Sequence, residues 1–140
     1  MNTQGFHLDH IGVAVPSLEA ALPFYVQLLG LQVSRIEVVE DQQVKVAFLN
    51  TGQCHIELLE PTADTSPIAK FLAKRGPGIH HICLQVQGLK ALLPKLAESG
   101  VQLIDSAPRP GADNKWVAFI HPKATGGVLL ELSEPMEAVA

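Results

Sequence analysis

The chain repeats itself. Laid over one another, "LDHIGVAV" (8–15) and "IHHICLQV" (79–86) bring His10 onto His81. A helix-like segment follows each, "SLEAALPFYVQLLG" (17–30) and "GLKALLPKLAESG" (88–100), and in that register Pro23 falls on Pro94. Next come "GLQV" (30–33) and "GVQL" (100–103), then "VAFLN" (46–50) and "VAFIH" (117–121). Each half closes on a matching strand, "HIELLEP" (55–61) and "LLELSEP" (129–135), which places Glu57 on Glu131 and Pro61 on Pro135. His10 and Glu57 are 47 residues apart, His81 and Glu131 50, and a longer loop around "HPKATGG" takes up the difference. A common order sustained this far restricts the fold to two copies of one supersecondary unit.

Each copy reads βαβββ, so the class is α+β: module one over 8–61, a connecting helix within 62–77 and module two over 78–135, in a single domain spanning 1–140. Ser17 is placed to cap the first helix, and Gly30 and Gly100 to end the two helices in the left-handed conformation. Pro23 and Pro94 fall inside those helices, where a missing N–H predicts a kink or a shortened helix in both. In the connector "SPIAKFLAKRG" (66–76), Ser66 is the expected cap and Pro67 the first helical residue.

Strand alternation sorts the faces. Ile11, Val13 and Val15 share one face of the first strand, and Ile82, Leu84 and Val86 share one face of the fifth; these are expected to pack on helices. His10 and His81 then lie on the other face of their strands. Glu57 and Glu131 likewise oppose Ile56/Leu58 and Leu130/Leu132. A carboxylate centred in an apolar strand is costly to bury unless it is paired or binds a metal. Under a pseudo-twofold axis, two histidines and two carboxylates converge, a set suited to an octahedral divalent cation such as Co, Mn, Ni, Zn or Fe(II), with two positions open. His80 and His81 cannot share a face, so His81 is the functional one and His80 is structural or lines a rim. His55 is expected to be an exposed or lining polar residue, His7 and His121 surface or loop residues, and Cys83 a small hydrophobe. Lys70, Lys74 and Arg75 form a solvated helix face that is also able to meet phosphates.

Net charge is −4 without a basic run, which argues against nucleic acid as a partner. Two cysteines without a paired motif read as reduced thiols in a cytoplasmic protein. No basic-then-apolar leader and no membrane-length apolar run are visible, so a membrane partner is not expected. Phosphate-cradling glycine loops and structural zinc spacings are missing as well.

With these residues placed, the chain resembles the vicinal oxygen chelate (glyoxalase/bleomycin resistance/dioxygenase) superfamily. Within it, "LDHIGVAV", "IELLEP", "SPIAKFLAKRGPGIHHICLQV" and "HPKATGGVLLEL" are similar to the methylmalonyl-CoA epimerase branch, over about residues 8–133. The resemblance implies an open, U-shaped mixed sheet around one divalent metal, cobalt being favoured, in a protein that forms a homodimer. It implies His10, Glu57, His81 and Glu131 as ligands, in a family that varies between Gln and Glu at the position of Glu57. It implies interconversion of (2R)- and (2S)-methylmalonyl-CoA by 1,1-proton transfer through a metal-stabilised enolate. Glu131 matches a residue proposed as both ligand and acid/base group. A further glutamate, proposed as a base in some members, is Val46 here, which leaves one proton-transfer group unidentified; Lys45 is not nominated. An anionic CoA substrate is expected near Lys70, Lys74, Arg75 or Lys123. The alternatives are a glyoxalase-like isomerase or lyase, or a metal-free drug-binding resistance protein. Two carboxylate ligands fit the dioxygenases poorly.

Overall fold

A computed structural model describes residues 5–138 of the chain. Contacts divide it into two compact units, one of His10–His80 and one of the residues up to Asp9 together with those from His81 on.

The His10–His80 unit carries most of β1 (His7–Ala14), then α1 (Leu18–Pro23), β2 (Gln32–Val39), β3 (Val44–Asn50), β4 (His55–Pro61) and α2 (Pro67–Arg75). Its strands run in the order β2-β3-β4-β1. β3 is antiparallel to both neighbours, and β1 is parallel to β4. Val15, Leu18, Ala47, Leu49 and Leu58 make the core, with Val13, Leu22, Tyr25 and Ile56 packed against it. These are the branched faces that strand alternation assigned to the helix side. Leu49 and Leu58 are fully buried, and each contributes about 1.5–3 kcal/mol through the apolar surface it removes from water.

The unit from His81 on carries most of β5 (Gly78–Gln85), then α3 (Leu89–Glu98), β6 (Arg109–Gly111), β7 (Lys115–Ile120) and β8 (Leu130–Pro135). Its order, β6-β7-β8-β5, repeats that of the first unit. The register repeats too. Glu57 lies between Gly12 of β1 and Phe48 of β3, and Glu131 lies between Cys83 of β5 and Phe119 of β7. Val86, Leu89, Leu93, Ala118, Ile120 and Leu132 form this unit's core.

Local signals hold where a side chain or a glycine decides the backbone. Ser17 Oγ accepts the Ala20 N–H at 3.2 Å, and Ser66 Oγ accepts the Ile68 N–H at 3.1 Å. Gly30 and Gly100 leave their helices at φ +81° and +86°, a region that costs glycine nothing. The prolines differ from each other. After Pro23 the α-helix gives way to a π-helical turn over Phe24–Leu28, with Leu29 N bonded to Phe24 O at 3.1 Å. α3 instead runs unbroken through Pro94 for 10 residues, so the shortening expected there does not occur. Leu89 and Leu93 are fully buried and dock the part of this helix that precedes the proline.

The edge strand of this unit is arranged differently from its repeat counterpart β2. Over 100–103 only Leu103 pairs, in an isolated bridge to Ile120, the repeat counterpart of the Val33–Leu49 pair. The edge strand resumes at Arg109 after a loop. Pro108, just before β6, has no N–H to give a ladder. Asp105 fills part of the gap, its Oδ2 accepting the Phe119 N–H at 2.8 Å.

Candidate metal centre

In the first unit, parallel pairing sets His10 beside His55 and Gly12 beside Glu57. Alternation then puts His10, His55 and Glu57 on the face opposite the helix-side core. His10 and Glu57 are 4% and 5% exposed, and His10 Nδ1 stands 3.1 Å from Glu57 Oε2. In the second unit His81 and Glu131 are 5% and 8% exposed, with His81 Nε2 3.1 Å from Glu131 Oε1. Each module therefore builds one buried imidazole–carboxylate pair, at repeat-equivalent positions and at the same separation.

That separation tests the fit to a metal. Nitrogen and oxygen ligands at about 2.0–2.2 Å from an ion occupy neighbouring octahedral corners about 3 Å apart. Each pair has this spacing and the mixed nitrogen and oxygen character that intermediate divalent ions accept. Each pair, taken by itself, is compatible with a divalent cation.

The remaining predicted residues sort by position. His80 leaves the ligand face and meets Phe71 of α2 edge-on, ring centroids 5.1 Å apart. Cys83 is buried and donates to Ser133 Oγ at 3.3 Å, as a packed small residue does. His7 is exposed, and His121 Nδ1 caps the turn after β7 by accepting the Lys123 N–H at 3.0 Å. Lys70, Lys74 and Arg75 are exposed on α2, and Lys123 is exposed on the turn that His121 caps. Lys45 pairs with Glu60 and lies on the opposite face of β3 from Phe48 and Val46. Val46 is 1% exposed and sits between Glu37 and Leu59, in the same-face row two residues along from Phe48 and Glu57.

Three features escaped the sequence reading. His55 lines the Glu57 face, and what was not foreseen is its direct contact with the carboxylate: its Nε2 stands 2.8 Å from Glu57 Oε2. Each ligand face also carries a phenylalanine covered by an arginine, Arg35 at 4.8 Å from the Phe48 centroid and Arg109 at 5.6 Å from that of Phe119, within cation–π range. Arg35 also pairs with Glu37, and Arg109 with Asp105 at 3.0 Å. The third is a pair of carboxylates, Glu60 and Glu134, that close helix starts. The signal for Phe48/Phe119 and for Glu60/Glu134 was in the repeat itself, where both pairs superpose.

A family model of the Glyoxalase/Bleomycin resistance protein/Dioxygenase superfamily matches residues 9–119. YqjC of Bacillus subtilis is 48% identical over 91% of this chain and 91% of its own. The ethylmalonyl-CoA/methylmalonyl-CoA epimerase of Cereibacter sphaeroides is 42% identical over 91% of this chain and 96% of its own. A solved Streptomyces coelicolor methylmalonyl-CoA epimerase, a substituted form in complex with 2-nitronate-propionyl-CoA, is 36% identical, with a TM-score of 0.87 over 94% of this chain and 96% of that one. The chain belongs to the glyoxalase/bleomycin resistance/dioxygenase superfamily and, within it, to the methylmalonyl-CoA epimerase family.

Proposed function

We propose that this chain interconverts the (2R) and (2S) forms of methylmalonyl-CoA by 1,1-proton transfer, and that it does so with one divalent metal held by His10, Glu57, His81 and Glu131. The observation that carries the reading is the recurrence of a buried imidazole–carboxylate pair at 3.1 Å in both modules. Similarity to epimerases supports the reaction class, and the nitronate ligand of the S. coelicolor relative supports its course. A nitronate is a planar, delocalised anion, the charge pattern a substrate takes on when its C2 proton leaves.

When bound, the cation would supply Lewis-acid stabilisation of that negative charge, and cobalt is the ion we expect to support it. The residues of the chain do the rest. Glu131 is the assigned proton-transfer group, in addition to its role as ligand. Its burial keeps bulk water from competing for the proton. Val46, Phe48 and Leu59 form an apolar surface on the Glu57 face that suits the methyl group of the substrate. Lys70, Lys74, Arg75 and Lys123 offer exposed positive charge to the CoA phosphates.

We assign the protein to the cytoplasm, in keeping with the unbridged thiols Cys54 and Cys83, and to a homodimer. Phe24, Leu28, Leu29, Ile36 and Val38 are exposed, an apolar set that a second copy would cover.

The deciding experiment incubates cobalt-reconstituted protein with methylmalonyl-CoA in D₂O and follows C2 by NMR. Metal-dependent deuterium incorporation from both epimers is expected. No exchange above the apo-protein background would overturn the reading.

A further inference from the structure

His55 starts β4 and shares the face of Glu57 two residues on. Its Nε2 is 2.8 Å from Glu57 Oε2, the same oxygen that His10 Nδ1 approaches at 3.1 Å. The two imidazoles stack with centroids 5.0 Å apart and planes 30° apart. Phe48 lies against His55 with ring centroids 5.5 Å apart. One carboxylate oxygen is thus gripped by two rings, and one of those rings is itself wedged between an imidazole and a phenyl.

The repeat counterpart of His55 is Leu129, an apolar side chain. Imidazole recurs at positions 10 and 81 but not here, so His55 stands outside the duplicated ligand set. Its distance to Glu57 is that of a hydrogen bond, shortened by the acceptor's charge.

We infer that His55 is a positioning residue: it donates a hydrogen bond to Glu57 and locks that carboxylate in its ligating orientation. The inference rests on the metal reading above. Hydrogen-bond partners of metal ligands are typically worth 10–100-fold in metal affinity.

The test uses the full chain and cobalt(II) as probe, comparing wild type, His55→Ala and His55→Gln. Affinity is measured by competition with a chelator, the ligand field by visible absorption of the bound ion, and apo-protein stability by thermal unfolding. We expect His55→Ala to bind cobalt about 10–100-fold more weakly while the absorption spectrum per bound ion is unchanged. His55→Gln, which keeps an N–H donor, should recover most of the affinity. Unchanged affinity in His55→Ala removes the positioning role. A spectrum showing the loss of a nitrogen ligand makes His55 a ligand and overturns the inference as well. If affinity falls only as far as apo stability does, and His55→Gln falls with it, the role is structural and the inference fails. Wild type that binds no cobalt brings down the metal reading first, which separates that failure from the others.

Discussion

Glu134 closes the N-terminus of α3 by accepting the Gly88 N–H on Oε2 at 2.7 Å and the Leu89 N–H on Oε1 at 3.1 Å. Its repeat counterpart Glu60 accepts the Leu18 N–H of α1 at 2.7 Å. In each module, then, the strand that supplies a candidate metal ligand supplies, three residues later, the carboxylate that satisfies an orphan helix donor and complements the helix dipole.

The two caps are not equal. α1 also has Ser17, whereas α3 begins on Gly88 with no side-chain cap of its own. Glu134→Ala leaves two amides without their partner and is expected to cost about 2 kcal/mol, and Glu60→Ala about 1 kcal/mol. Urea unfolding of both variants without metal checks the order. Equal losses would mean that the cap on Ser17 contributes nothing beyond Glu60.

The ligand assignment makes adjacent histidines separable. His81→Ala removes a nitrogen 3.1 Å from Glu131 and is expected to abolish stoichiometric cobalt binding. His80→Ala trims a ring that packs on Phe71 and is expected to keep full occupancy with slightly lower stability. Metal analysis after gel filtration reads both. Added cobalt should also raise the unfolding temperature of wild type and His80→Ala but not of His81→Ala, since binding to the folded state adds to its stability.

Gly111 ends the short edge strand β6 beside β7, and a Cβ there would stand 2.8 Å and 2.9 Å from the two methyl carbons of Val117. Val117 is 2% exposed and has a stiff, branched side chain, so it has no easy way to yield. Gly111→Ala is expected to destabilise the fold by about 1–3 kcal/mol. Pairing it with Val117→Ala should return part of that loss, and strict additivity in the double-mutant cycle would rule out the clash.

What was legible in the sequence is what duplication states twice. His10/His81 and Glu57/Glu131 recur at one register, and period-two alternation alone sends them to a face away from Val13, Ile56, Leu84 and Leu130. His55 was read only as an exposed or lining residue of the Glu57 face because it occurs once: alternation gives the face, and no repeat partner marks the contact with the carboxylate. The edge strand of module two departs from that of module one although "GVQL" keeps the composition of "GLQV". Pairing there depends on Asp105 and Pro108, which have no counterpart in module one. Pro94 differs from Pro23 in that α3 continues past it to Glu98, so of the kink or shortening expected there the shortening does not occur.

Val46 leaves proton transfer with one assigned group, and the final prediction concerns that group. If Glu131 acts only as a ligand, Glu131→Gln weakens metal binding, and excess cobalt restores most of the rate. If it also moves protons, the cobalt-saturated variant still loses roughly 100-fold or more, the scale of general acid–base catalysis. We expect the second outcome, because Glu131 is buried beside His81 and the Val46 row of β3 presents only apolar side chains at Val46 and Leu59. The readout is C2 exchange in D₂O from each epimer separately, at saturating cobalt. Loss from both epimers makes Glu131 essential to proton transfer on either side of the carbon. Exchange that survives from one epimer alone assigns the other face to a second group. Glu37 is then the next residue to substitute, because its strand pairing with Val46 places it in that row. Exchange undiminished from both epimers removes Glu131 from proton transfer and leaves it a ligand.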